Sequence, residues 1–535
     1  MVPPSLIPFP AHLHPTAGVP PVAGTWHVRA DAPLAALTEV VRELLRPHLG
    51  KRLVTEHGDS ELRLTLGAVP AGTGTLGVPP SGEPADETYR LAVTEQGIVC
   101  RANSVEGAFR AATTAAQALA GGEDLACLEV ADAPRYAWRG LMVDPARGFV
   151  TAAELRRLID LAALYKLNAL HLHLTDNEGW RIELPGLPQL TAGDSPFYTV
   201  RQYRDLQAYA AERFVTLIPE IDLPGHCKAL RAAFPDLPAA AAPGAASQVR
   251  TLGEHVQFHP PLDLADPATA AIVERVLAEM CALTSGPYVH IGADEAMGMA
   301  EEDFSHAVRT LRALVREHGK HPLAWQESAR AGVTSHDIAQ YWFAPSMMSS
   351  TGASQSPSSV ALDVSDDDMR AVREFFNRTA GDLDRIVTGG GRVLLSPQSH
   401  LYLDRPYVRT TAPTEQADLA DRLGFPFYPP ETLQELASWD PAVYGIPEAQ
   451  VAGIEATLFG ETVGGFDDLT TLLLPRLPAI AETAWSGSPP SWPEHRSRLA
   501  DHASLWRDRG LRYFASEEIP WTSDTPAGRL PAGPR

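Results

Sequence analysis

The chain is poor in lysine: Lys51, Lys166, Lys228 and Lys320 are the only four among 44 basic residues. Set against 66 acids, those bases leave a net charge of −22. That balance argues against nucleic acid or an anionic membrane as partner, because holding phosphate needs clustered cations. Cysteine is scarce too. Cys100, Cys127, Cys227 and Cys281 form no CxxC pair, so neither a disulfide framework nor a zinc ribbon is indicated. No apolar run reaches bilayer-spanning length, and the opening stretch MVPPSLIPFPAHLHP lacks a basic n-region and a continuous apolar h-region. The expectation is a soluble, cytoplasmic protein acting on a neutral substrate.

What is present is enough apolar material for a large core, 44% of 535 residues, and a length that implies two to four domains at roughly 150 residues each. Residues 1–21 read as an N-terminal extension. Residues 22–132 read as a small α+β domain: Leu37 to Leu45 is amphipathic with a 3.6 period, LRLTLG alternates, YRLAVTEQGIVCRA reads as a hairpin, and Val105 to Ala120 as a small-residue helix. The tetrapeptide ADAP, 131–134, marks a boundary. Over 133–490 strands alternate with helices, eight times in all. The strand candidates are GLMVD, ALHLHLT, FVTLIPEID, YVHIG, HPLAWQ, DIAQYW, GRVLLS and GIEATLF. Thr151 and Glu154 form a capping box, and Asp266 with Pro267 opens another helix. The pattern predicts an α/β fold, a (β/α)8 TIM barrel behind the smaller α+β domain. Two low-complexity stretches, Pro238 to Ser247 and Ser346 to Ser359, read as mobile loops, and 491–535 as one helix followed by a Pro-rich tail without fixed structure.

The stretch YVHIGADEAMGM, Tyr288 to Met299, organises the rest. A short apolar strand runs into Gly292 and then two adjacent acids, Asp294 and Glu295. Neighbouring side chains on a regular strand point to opposite faces, so both acids can enter one cleft only if the backbone turns where Gly292 permits it. The carboxyl end of a barrel strand is where such a turn would present catalytic groups. Other strands end the same way: Asp144 and Arg147 after the first, Asp176 after the second, Glu220, Asp222 and His226 after the third, Trp325 and Glu327 after the fifth, Trp342 after the sixth, Tyr402 and Asp404 after the seventh, Glu461 after the eighth. Carboxylates, an arginine and tryptophans without a nucleotide-binding loop describe a sugar site, with aromatic faces against pyranose C–H surfaces and charged groups on the hydroxyls.

The segments ETYRLAV, YAWRGLMVDPAR, LHLHLTDNEGWRIE, LIPEIDLPGH, HIGADE, AWQES, QYW, SHLYLD, GIEATLFGET and PRLPAIAETAW, spread over Glu87 to Trp485, resemble the β-N-acetylhexosaminidases of glycoside hydrolase family 20. Retaining glycosidases commonly place a nucleophilic carboxylate about 5 Å from the acid, and this family is among the exceptions in which the substrate assists. The resemblance implies an exo-acting enzyme that removes terminal N-acetylhexosamine from oligosaccharides or glycoconjugates, with no cofactor and no metal. It makes Glu295 the general acid and base, Asp294 the partner of the 2-acetamido N–H, and Tyr402 the donor to the acetamido oxygen. Asp176 and His226 become a relay beside Glu295. Arg147 and Glu461 hold ring hydroxyls, Asp404 reaches the hydroxymethyl side, and Trp325 and Trp342 wall the acetamido pocket. Arg139, Asp144 and Asp222 fall to scaffold or supporting roles, and His171 and His173 to structural ones.

Three positions depart from the family pattern. Phe459 stands where tryptophan is usual, keeping a stacking face without the indole N–H; Ala293 stands where glycine is common and Gly148 where histidine is. Other readings stay open: a metal-dependent amidohydrolase-type barrel built on His171 and His173, a catalytically inactive sugar-binding barrel, or an active member with a sulfated or disaccharide-releasing substrate.

Overall fold

The computed structural model describes residues 4–21, 23–70, 74–121, 125–240, 250–252, 256–343 and 376–521. The smaller domain is a six-stranded sheet of β1 (His12–Pro15), β2 (Trp26–Ala30), β3 (Ser60–Leu66), β4 (Tyr89–Thr94), β5 (Gly97–Ala102) and β6 (Leu128–Asp132), in the order β1-β6-β4-β5-β3-β2. β4 and β5 form the expected antiparallel hairpin, while β3 runs parallel to both β2 and β5. The helices Leu37–Leu49 and Val105–Ala120 pack on the sheet. The second is buried all round: every residue from Gly107 to Leu119 is buried, and Gln117 donates to the Leu164 carbonyl of the barrel at 2.9 Å. Its alanines, threonines and glycine are what lets it lie between two surfaces.

Two expectations are corrected here, the N-terminal extension and the free tail. The stretch 1–21 is no appended extension, because β1 pairs in register with β6, His12 opposite Ala131 through Pro15 opposite Leu128, and Leu6 and Ile7 are buried. β6 ends at Asp132, the last residue given to the smaller domain. After the expected helix, Trp492–Asp508, the chain does not run free: Leu511, Phe514 and Ile519 are buried, and Phe514 stacks on Tyr407 with ring centroids 3.8 Å apart. Residues 522–535 and most of the two low-complexity stretches, 241–247 and 346–359, lie outside the described residues.

From Trp138 the chain builds a closed parallel barrel of β7 (Trp138–Val143), β8 (Ala169–His173), β9 (Thr216–Leu223), β12 (Tyr288–Gly292), β13 (His321–Trp325), β14 (Ile338–Tyr341), β15 (Arg392–Leu395) and β16 (Val451–Leu458). A small hairpin, β10 (Arg250–Leu252) with β11 (Val256–Phe258), lies between β9 and β12. The capping boxes read from sequence are present at Thr151 with Glu154, and Asp266 accepts from Thr269 N–H. Two boxes were missed: Thr199 with Gln202 opens Val200–Ala211, and Thr432 with Glu435 opens Leu433–Ala437.

Side chains fill the barrel in layers, as its closure requires. The floor takes one apolar residue from each strand: Trp138, Ala169, Ile218, Tyr288, Leu323, Ile338, Leu394 and Ala452. Above it lies a polar layer. Glu455 accepts from Trp138 Nε1 at 2.9 Å and Gln340 Nε2 at 3.0 Å and meets His171 Nδ1 at 2.9 Å, while Glu220 meets His290 Nδ1 at 2.9 Å. The top layer is aromatic, Trp325, Trp342, Phe343 and Tyr402 with Met142, and faces the carboxyl ends of the strands. Gly140 is obligatory in this stacking, since a Cβ there would sit 2.2 Å from Glu455 Oε2.

Candidate active site

The turn after β12 is the most strained backbone of the barrel. Gly292 has φ +68°, Ala293 +72° and Glu295 +39°, and across the cleft His226 has φ +46°. Only five non-glycine residues among those described have a left-handed φ, and three of them, His226, Ala293 and Glu295, are here. Such strain persists where surrounding structure fixes it, and it gathers at functional sites. Its effect is the one the sequence called for: consecutive acids enter one cleft, with Asp294 Oδ2 3.8 Å and Glu295 Oε2 3.6 Å from the same nitrogen, His226 Nε2. Gly292 is needed for a further reason, as a Cβ on it would lie 1.7 Å from Asp222 Oδ1.

His226 is held from behind. Its Nδ1 is 2.9 Å from Asp176 Oδ1, and the other Asp176 oxygen is 2.7 Å from Arg147 Nη2 and 2.8 Å from His173 Nε2. Burial raises the Asp176 pKa, but the charges of Arg147 and His226 outweigh it and hold the carboxyl well below its ordinary range. Burial acts the other way on His226, where Asp176, Asp222 and Asp294 keep the imidazole protonated well above its ordinary pKa. Asp294 itself is pushed up to about 6, first by burial and then by the neighbouring Glu295 and Glu220 charges, against the pull of His226. Asp222 is raised well above its usual value by burial and by Asp294.

The walls are aromatic. Trp325 donates from Nε1 to Glu220 Oε1 at 2.8 Å, and Trp342 from Nε1 to the two Glu327 oxygens at 3.1 and 3.2 Å. Tyr402 stacks along Trp342, ring centroids 6.4 Å apart with planes 17° from parallel, and lies 5.3 Å from Phe459. It is not carried on a strand end: after β15 the one-turn helix Gln398–Leu401 intervenes, and Tyr402 is bridged to Thr457 of β16. Phe459 has the Arg147 guanidinium 5.5 Å from its ring centroid.

At the other end of the cleft, Arg147 bonds Asp144 at 2.9 Å and reaches Glu178 at 3.5 Å and Glu461 at 3.6 Å. Burial, reinforced by Asp144 and Asp176, pushes Glu461 up to about 7 against Arg147. Burial, then Glu461, raises Asp404 well above its usual value. Both oxygens of Asp404, Glu461 Oε2 and Asp294 Oδ1 are buried without a protein hydrogen-bonding partner. Buried polar atoms are rarely left so.

The eleven site residues expected from sequence lie in one connected group: Trp325, Trp342, Tyr402 and Phe459 through their rings, Arg147, Asp176, His226, Asp294, Glu295 and Glu461 through ion pairs, and Asp404 beside Glu461. His171 and His173, the pair behind the metal reading, turn both rings onto Glu455, Glu220 and Asp176. Sequence reasoning missed the pairing of Glu327 with Trp342, Glu178 beside Arg147, and Tyr428, whose ring lies 6.0 Å from Tyr402. Only the aromatic character of Tyr428 could have flagged it.

Comparison with known proteins agrees over the whole chain. Residues 136–488 match the family described as "Glycosyl hydrolase family 20, catalytic domain", and residues 3–133 its "domain 2". A β-N-acetylhexosaminidase of Cellulomonas fimi is 34% identical, with 97% of each chain covered, and a β-hexosaminidase of Akkermansia muciniphila is 30% identical over 78% of this chain and 83% of that one. Among solved structures, the GH20 β-N-acetylhexosaminidase of Streptomyces coelicolor superposes with a TM-score of 0.76 at 30% identity, covering 97% of this chain and 99% of that one. The Streptomyces plicatus N-acetyl-β-hexosaminidase in complex with thio-NAglucal gives 0.75 at 30% identity, covering 97% and 98%.

Proposed function

The chain belongs to glycosyl hydrolase family 20, and from that premise we propose how the residues of this cleft divide the work of an exo-acting, retaining β-N-acetylhexosaminidase. The substrate is a terminal, non-reducing β-linked N-acetylglucosamine or N-acetylgalactosamine of an oligosaccharide or glycoconjugate. The observation that carries the reading is the pair of consecutive acids turned onto one imidazole, Asp294 at 3.8 Å and Glu295 at 3.6 Å from His226 Nε2, beneath the walls Trp325, Trp342 and Tyr402.

The acetamido group enters between those walls. Asp294 accepts its N–H, which raises electron density on the carbonyl oxygen and aligns it beneath the anomeric carbon, while Tyr402 donates to that oxygen. The oxygen attacks C1 as the C1–O glycosidic bond breaks, and Glu295 passes its proton to the departing oxygen. Holding the internal nucleophile in this pose supplies a large effective molarity, and the Asp294 carboxylate stabilises the positive charge of the oxazolinium ring. Water then attacks C1 from the vacated face, Glu295 takes its proton, and the acetamide is restored with the β configuration retained. Arg147, Glu461 and Asp404 take ring hydroxyls, and Phe459 supports the sugar face.

Hydrolysis of aryl β-glycosides of N-acetylglucosamine, N-acetylgalactosamine and glucose tests this. Turnover of the acetamido sugars alone is expected, with kcat reduced about 10²–10⁴-fold in Glu295→Gln. Comparable turnover of the plain glucoside would assign the nucleophile to the protein and remove these roles from Asp294 and Tyr402.

A further inference from the structure

The chain of buried groups behind Glu295 does not end at Asp176. His173, on β8, lies between two carboxylates, its Nε2 2.8 Å from Asp176 Oδ2 and its Nδ1 2.5 Å from Glu220 Oε2. A neutral imidazole carries one N–H and can donate to only one of them; both contacts are satisfied together by the imidazolium. Glu220, on β9, is fully buried and divides its oxygens. Oε2 faces His173 and, at 3.2 Å, His171, while Oε1 accepts the Trp325 indole N–H at 2.8 Å and faces His290 at 2.9 Å.

We propose that Glu220 and His173 are positioning residues of the reaction: one buried carboxylate fixes a wall of the acetamido pocket through Trp325, and through His173 fixes the charge of the Asp176–His226 relay that faces Glu295. The inference rests on the function proposed above and extends it two residues deeper into the barrel. Asp176 also faces Arg147 and has Glu178 nearby; His226 also faces Asp222, Asp294 and Glu295, with Glu178 nearby; His173 also meets Asp222, Asp144 at longer range and the edge of Phe459. His226 therefore has acids on every side, and the His173 charge lies directly against Asp176, the carboxylate that holds His226.

A purely structural role needs hydrogen bonds here, whereas a positioning role needs the charge. Glu220→Gln separates the two. Trp325 still requires an acceptor, so the carboxamide oxygen turns to it and the NH2 group to His173, which must then offer a lone pair and become neutral. His173→Gln removes the charge outright and keeps a donor for Asp176. Loss of a cation favours the protonated acid, so in His173→Gln the basic limb of the kcat/KM–pH profile on the aryl N-acetylglucosaminide moves to higher pH by about half a unit or more. In Glu220→Gln the carboxylate charge is lost along with the imidazolium charge and opposes it, so the limb moves the same way by less, about 0.3 unit, because His173 lies nearer the relay than Glu220 does. KM in Glu220→Gln stays within about threefold of wild type, because the Trp325 anchor is kept.

Thermal unfolding of each variant establishes that it is folded. Basic limbs coincident with wild type to within about 0.2 pH unit in a folded variant overturn the proposal, even if kcat falls, and so does failure of both variants to fold. If only one folds, its profile decides. Wild-type turnover, measured first, separates this proposal from its premise: without it the proposed function falls and takes the inference with it, and with it and unmoved limbs only the inference falls.

Discussion

Arg139 and Glu87 meet across the boundary between the two domains, the guanidinium donating from both terminal nitrogens to the two carboxylate oxygens, with both side chains buried. The same carboxylate accepts from Arg110 Nε at 2.7 Å, and Arg139 lies over Trp485 at 4.9 Å. Beside them Lys166 reaches Asp132 at 3.2 Å, and Asp132 also accepts from Tyr89 and Trp485. The domains are therefore joined through buried charge.

Breaking that clasp on one side is expected to cost more than removing an ordinary surface pair. Glu87→Ala takes from two buried guanidinium groups the carboxylate they share, leaving Arg110 with Glu106 and Arg139 with backbone carbonyls, and should lower stability by about 3–5 kcal/mol, with Glu87→Gln milder because it keeps one acceptor. Denaturant unfolding gives the difference directly. A loss in Glu87→Ala no larger than that of a surface ion pair, about 1 kcal/mol or less, would contradict the assignment.

Asp294 ties stability to pH in the opposite sense from a paired surface acid. Its folded pKa is about 6 against an ordinary value of 3.8, so the folded state binds the extra proton between those values. The stability it contributes is present below pH 3.8 and is lost as pH rises through about 6. Asp294→Asn removes that loss. The variant should match wild type near pH 4 and gain roughly 2 kcal/mol by pH 7, while its turnover collapses. Parallel thermal unfolding curves across that range, with no growing gap, would show that burial of this carboxylate carries no such cost.

Phe459 offers a ring and no donor, and it carries Arg147 on its face. Phe459→Ala should raise KM for the aryl N-acetylglucosaminide about tenfold, the equivalent of roughly 1.4 kcal/mol of stacking. Phe459→Trp should lower KM below wild type by restoring a larger face. Steady-state kinetics of the three proteins decide it, and equal KM values would take Phe459 out of the sugar platform.

Much of this molecule could be read from its sequence because buried parallel strands are short apolar runs ending in chemistry. HPLAWQ and GIEATLF become β13 and β16 with little adjustment, and the acids at their ends arrive in the cleft. Local signals served equally well where the physics is local, as with the Thr151 capping box. The failures share a different cause. β1 is four mostly exposed residues whose only claim to be a strand is backbone pairing with β6, more than a hundred positions away. The pairing of His173 with Glu220, 47 residues on, leaves no local trace either, and only the register of β8 against β9, His173 opposite Glu220, brings them together. The packing of Phe514 on Tyr407 is likewise a long-range contact with no periodic trace.

The helix Val105–Ala120, enclosed between the smaller domain's sheet and the barrel, has a consequence for how such a chain can be inherited. Its far side is a surface of the barrel that was never made to meet water, so the catalytic half cannot be copied or shuffled alone without exposing it. The two halves must travel as one heritable unit. A chain starting at Pro134 is accordingly expected to aggregate on expression, and its recovery as a folded, active monomer would show that the barrel is self-sufficient after all.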